Sequence, residues 1–317
     1  MRTITFDQLI LRGCGIDVHK DVVVATISGE GLKTETRSYK TFSSSLTALK
    51  EWLLSHGITH VAMESTGVYW KPVYKVLECP SLKVWIVNAR HIKYVPGHKT
   101  DKKDSAWICK LLLAGLLKPS YIPEREQREL RDLTRYRNKL IQHVASEKNR
   151  IQRVLEDCNV KLSSVVSSTD GAVATKLIDL LISKGHVTMD DILSVYHKRL
   201  EASPELLYQA CEGFIEAHHT FMLQTIRKDI QQTEAIISHL TLRIKEVLSA
   251  YENVIDLLKK IPGLSRKTVE DLIAEIGVDM EVFPTEKHLA SWAGMCPGNN
   301  ESNGKKKAVE PPTATNK

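Results

Sequence analysis

The sequence predicts an α/β domain followed by a long, mostly helical region, and three observations carry that expectation. The first 120 residues alternate β-branched runs with amphipathic stretches. Glu124 to Asp157 is a single basic run of helix formers, and Leu223 to Tyr251 repeats apolar residues alternately three and four positions apart.

Taken in order, Gly13-Cys-Gly-Ile-Asp-Val-His is a first strand, with Asp17 at its end. Asp21-Val-Val-Val-Ala-Thr-Ile-Ser, stopping near Gly29, is a second, and Thr34 to Tyr39 completes an antiparallel meander. Ser43 to Ser45 then cap a helix with Leu46, Leu49, Trp52 and Leu53 on one face. A short strand, His60-Val-Ala-Met-Glu, precedes a helix from about Tyr69 to Leu77 and a strand from Leu82 to Val87. A helix from about Asp101 to Leu117 closes the unit before Pro119. A meander followed by alternating helix and strand is an α/β sandwich pattern.

Beyond Pro123 the pattern becomes helical. The basic helix carries apolar Leu130, Leu133, Leu140, Val144, Ile151 and Leu155, and residues 160–205 are Ser-rich and weakly helical. Leu223, Ile226, Ile230, Thr233, Ile237, Leu240, Ile244, Val247 and Tyr251 then form a heptad seam interrupted only by Thr233. Such a seam can pair with the basic helix in its own chain or with a second copy. Its length, beyond that of an average globular helix, favours a homo-oligomer through a coiled coil. Ile261-Pro-Gly-Leu-Ser, between two helices, fits a helix-hairpin-helix element, whose turn binds a DNA phosphate through backbone N–H groups, and equally a plain helical hairpin. The expected divisions are residues 1–122, 123–255 and 256–317.

Of the 317 residues 42% are hydrophobic, enough for packed cores. No run of eighteen apolar residues and no signal-peptide pattern is present, so a membrane partner is not expected. Six scattered cysteines with no Cys-x-x-Cys pair argue against a zinc cluster and for a reducing, cytoplasmic compartment. The net charge is +6, yet Arg90 to Arg150 alone holds 15 Lys+Arg against 7 Asp+Glu. That concentration suits a phosphate surface, the bland alternative being a solvated helix face. Lys99, Lys102, Lys103, Arg131, Arg135, Arg137 and Lys139 are the candidate nucleic-acid contacts, joined by Gly263 and Lys267 at the hairpin.

Asp17 and Glu64 both end strands, and Asp101 and Asp104 share one face at a helix start. Singly, each is an ordinary turn residue or macrodipole partner. In a ribonuclease-H-like sheet, however, the first and fourth strands are neighbours and the closing helix lies beside their ends. Four carboxylates would then hold two magnesium ions (manganese being the alternative) about 4 Å apart, the arrangement that phosphodiester cleavage requires.

Gly15-Ile-Asp-Val-His-Lys, Ala62-Met-Glu-Ser-Thr-Gly and Lys99-Thr-Asp-Lys-Lys-Asp-Ser resemble, in order, spacing and neighbours, the acidic boxes of DEDD transposases from IS-one-ten-type insertion sequences. The resemblance spans nearly the whole chain and is weakest over residues 160–215. It implies a RuvC-like nuclease domain with Asp17, Glu64, Asp101 and Asp104 as catalytic metal ligands, followed by a C-terminal transposase domain. It also implies a serine nucleophile; Ser302, after Cys296-Pro-Gly and before Lys305-Lys-Lys, fits that pattern, and Ser291 fits less well. A composite centre between protomers, a DNA substrate and a structured noncoding guide RNA are further implications. Members continue past this serine, whereas this chain ends at Lys317 after an unrelated-looking tail, so a truncated, partial transposase domain is expected. Three other readings compete with this one. Actin-like sugar or acetate kinases share Gly-Ile-Asp, but Val18-His-Lys lacks their phosphate-loop glycines. A RuvC-like nuclease without transposition needs only the acids. A catalytically silent binding remnant needs neither acids nor serine.

Overall fold

The computed structural model describes residues 9–65, 67–88, 104–169, 171–198 and 200–295, together with the backbone of 301–302 and 305–306. The chain divides into two units between Ile122 and Pro123.

In the first unit, β1 (Arg12–Val18), β2 (Val22–Gly29) and β3 (Leu32–Lys40) form the antiparallel meander. Helix α1 (Ser43–Ser55) leads to β4 (His60–Glu64), which lies parallel to β1. Helix α2 (Trp70–Leu77) leads to β5 (Lys83–Val87), parallel to β4. The strand order β3-β2-β1-β4-β5 is the ribonuclease-H-like, RuvC-like arrangement the sequence predicts. Alternation sets the two faces. Cys14, Ile16 and Val18 point to one side, where Leu46, Leu49, Trp52 and Leu53 of α1 and Val73 and Leu77 of α2 cover them. Each fully buried leucine there contributes about 1.5–3 kcal/mol. On the other face Ala62 and Val87 meet Ile108, Leu111 and Leu112 of α3 (Asp104–Leu113). One detail differs from expectation: Phe42 flanks α1 without a side-chain cap, and Ser43 to Ser45 lie inside its first turn.

The second unit is helical. Helices α4 (Arg125–Asp157) and α8 (Ala217–Val247) lie antiparallel: Asp157 reaches His219 near one end, and Leu130 shares a core with Ile244 at the other. Within the chain the basic helix covers part of the heptad seam: Leu223, Ile226, Ile230, Thr233 and Ile244 are buried, whereas Ile237, Leu240 and Val247 stay partly exposed and Tyr251 is exposed. Between these helices come α5 (Ala172–Lys184), α6 (Met189–Val195) and α7 (Pro204–Cys211), whose Leu177, Ile178, Leu181, Ile192 and Leu207 extend the same core. After α8 the chain forms α9 (Glu252–Leu258), α10 (Arg266–Ile276), α11 (Glu286–Trp292) and a minimal hairpin of β6 (Glu301–Ser302) with β7 (Lys305–Lys306). Among the described residues no helix is long and apolar enough to cross a membrane.

Candidate active site

The carboxylates are placed by residues that have no side chain. A Cβ on Gly15 would lie 2.2 Å from both the Cys109 nitrogen and the Ser105 oxygen, so only glycine lets α3 sit this close to β1. At Gly13 the neighbours are the leucine tips of Leu112 and Leu113, 3.1 Å away. Helix α3 thus runs against the direction of β1, its late residues over Gly13 and its early ones over Gly15. A hydrogen bond of 2.8 Å between the Ser105 and Thr26 hydroxyls fixes that seat on β2. Two residues beyond Gly15, Asp17 emerges on the same face, at the end toward which α3 starts with Asp104.

Glu64 arrives by the same rule. Gly15 pairs with Ala62 and Ile16 with Met63 in parallel register, so the next positions, Asp17 and Glu64, are neighbours on strands about 4.8 Å apart. Ala62 faces α3, and Glu64, two residues on, shares that face. Past Glu64, the Ser65 N–H donates to the Val87 oxygen at 3.0 Å, tying the turn to β5. All three carboxylates are half-buried. His19, which the sequence reading did not single out, lies with its Nε2 2.9 Å from Asp17 Oδ2; the Val18-His-Lys turn after β1 was the available signal.

Asp101, Lys99, Lys102 and Lys103 fall outside the described residues. Among the described residues no three His, Cys, Asp or Glu side chains are grouped closely enough to hold a metal. The donor chemistry nevertheless fits a hard divalent cation, since Asp17, Glu64 and Asp104 offer only carboxylate oxygens on one face at one end of the sheet.

The basic helix is used differently from expectation. Arg137 is 2% exposed and donates to Glu270 at 2.7 Å and to Asp271 at 3.1 Å, so it is a buried partner of α10 and not a phosphate contact. Arg135 holds Glu275 with two hydrogen bonds of 2.7 and 2.8 Å. Arg131 donates to the carbonyls of Ala274 and Glu275 at the end of α10. Arg131 and Arg137 dock α10 instead of facing solvent, whereas Arg135 pairs with Glu275 with 42% of its side chain still exposed. Lys139 is exposed, and Lys267, half-exposed, pairs with Asp271 at 3.0 Å. Gly263 has φ +87°, which favours glycine, with open space where a side chain would be. Ser265 caps α10 by accepting from the Thr268 N–H at 3.2 Å. The backbone of Ser302 sits in β6, opposite Lys305.

Residues 14–160 match a transposase family of the DEDD, IS110 type, and residues 255–315 match the Transposase IS116/IS110/IS902 family. A pilin gene-inverting protein from Moraxella bovis is 21% identical over 300 residues, covering 91% of this chain and 73% of that protein. A Thermus thermophilus RuvC structure is 18% identical, covering 36% of this chain and 85% of its own, with a TM-score of 0.24. A second, of T. thermophilus RuvC in complex with a Holliday junction substrate, is 15% identical over 36% and 84%, at 0.22. Overlaps this low add nothing to the strand order described above. With IS110-type transposase models matched over residues 14–160 and 255–315, the chain is a transposase-family enzyme of that type.

Proposed function

We propose that the protein cuts and rejoins DNA with an acidic site formed by Asp17, Glu64, Asp101 and Asp104 and a nucleophile at Ser302. The observation that carries this reading is the placement of Asp17 and Glu64 on adjacent parallel strands, on the face where α3 begins with Asp104. In this reading the four carboxylates hold divalent magnesium, with manganese as a substitute. The cation, when bound, offsets charge developing on the phosphodiester oxygens. Asp17 and Glu64 would hold that cation from the strand ends, and the glycine seat of α3 brings its first residue, Asp104, to the same end of the sheet. The Ser302 hydroxyl attacks phosphorus, so a serine–phosphate ester forms as the strand's 3′ or 5′ oxygen leaves with a proton. The reverse attack by a strand hydroxyl rejoins the DNA without an external energy source.

Target and donor choice through a structured noncoding RNA, and a composite centre between two copies, extend the same reading. The relative named for pilin gene inversion makes inversion of a DNA segment a natural outcome. The deciding experiment measures magnesium-dependent strand exchange between element ends and target, with RNA transcribed from the element. Wild type is compared with Asp17→Ala, Glu64→Ala and Ser302→Ala. Loss of exchange in all three, with DNA binding kept, is expected. Exchange that survives Ser302→Ala would remove the serine from the mechanism, and survival in Asp17→Ala would remove the acidic site.

A further inference from the structure

We propose that the turn at residues 67–69 and the outer face of α2 form a platform for unpaired DNA, with Tyr69 stacking on a base and Lys75 holding a flanking phosphate. This rests on the acidic site proposed above and adds how the strand is presented to it.

Two apolar side chains in this turn stay in solvent. Val68 is 63% exposed and Tyr69 41%, immediately after the strand that ends in Glu64. The neighbouring rings are engaged elsewhere. Trp70 and Tyr74 are partly buried against the sheet core, with centroids 5.9 Å apart at 85°, and Val73 and Leu77 are fully buried. Turning that face of α2 inward leaves Tyr69 at the rim. Its ring lies 3.8 Å from where a Gly67 Cβ would be, and Gly67 has φ +56°, so the turn is bare on the side the ring covers. The Lys71 N–H donates to the Val68 oxygen at 3.2 Å, which fixes the turn to the helix.

Charge completes the surface. The first turn of α2 holds no acid, and Lys75 in its last turn is exposed. An exposed aromatic ring beside an exposed cation is the chemistry that binds single strands: stacking on the base, cations on the backbone. Duplex DNA keeps its bases stacked on each other and cannot use the ring. The occupant is therefore DNA opened at the point of cutting.

The test measures binding of the full chain, in EDTA, to a duplex with a three-nucleotide gap, to the intact duplex, and to an RNA of the gap sequence. A 5-iododeoxyuridine in the gap reports stacking through light-driven cross-linking. Tyr69→Ala is expected to weaken gapped-DNA binding by about fivefold to 150-fold and to abolish the cross-link, leaving duplex binding unchanged. Tyr69→Phe should restore both, and Lys75→Ala should lower the salt dependence of binding by about 0.7 in log–log slope. Equal affinity of wild type and a folded Tyr69→Ala for the gap overturns the platform, as does a Tyr69 effect confined to RNA, or no binding by wild type. Since no metal is present, the outcome is separate from strand exchange. A Tyr69-dependent gap complex in a protein that exchanges no strands keeps the platform and removes the proposed reaction.

Discussion

At the scale of single residues, the site depends on an atom that is missing. Gly15→Ala places a Cβ against backbone, which cannot swing away as a side chain can. It is expected to destabilise the first unit by about 3 kcal/mol, the upper range for overpacking. Urea unfolding checks this: a Gly15→Ala protein with the wild-type midpoint would mean that α3 does not bear on β1 as described. A second residue gives a pH signature. Asp191, in the first turn of α6, has its carboxyl pulled down to about 2, first by the hydrogen bond from Lys184 and then by those from Thr188. Because its folded value lies below the ordinary 3.8, the stabilisation is complete above about pH 4 and disappears as pH falls through about 2. The thermal midpoint of Asp191→Asn should therefore trail wild type at pH 5 and meet it near pH 2. A gap that is constant over that range would contradict the assignment.

Among the elements, the contact of α4 with α10 has an ionic centre. Arg137 and Glu270 are both almost fully buried, and Arg266 adds a second cation on Glu270 at 2.9 Å. Burying such a pair gains little over apolar packing, but breaking it strands a charge. Arg137→Ala should cost about 3–5 kcal/mol, whereas Arg137→Met combined with Glu270→Met should recover most of that loss. Denaturant titration of the singles and the double decides it; additive losses would show that the two side chains do not interact. That clamp also marks where sequence reading stopped. The charge of α4 was legible, but its direction was not, since Arg131, Arg135 and Arg137 meet partners on α10 more than 130 positions away. The sheet was legible because each strand carries a period-two pattern and glycines bound the turns. The pairing of Asp17 with Glu64 followed from strand order, whereas the seat of α3 on Gly13 and Gly15 did not, because a glycine in a strand has several uses. Helices α5 to α7 were legible only as a weakly helical stretch, for lack of a long period. Thr188 in a capping box and Ser203 before Pro204 were the local signals that mark their starts.

For the whole molecule, two units serve one enzyme in different ways. The first packs its core behind the strand ends that carry Asp17 and Glu64, and the second holds α9 and α10 against α4. Within the second unit, the seam between α4 and α8 joins segments far apart in the chain, with α5, α6 and α7 between them. That distance has a consequence in time. About 90 residues separate the end of α4 at Asp157 from the end of α8 at Val247. At synthesis rates of about 5–20 residues per second, the apolar stripe of α4 leaves the ribosome roughly 5–18 seconds before the helix that covers it is complete. For that interval the nascent chain shows Leu130, Val144, Ile151 and Leu155 to the cell, and a chaperone is the natural shelter until α8 arrives.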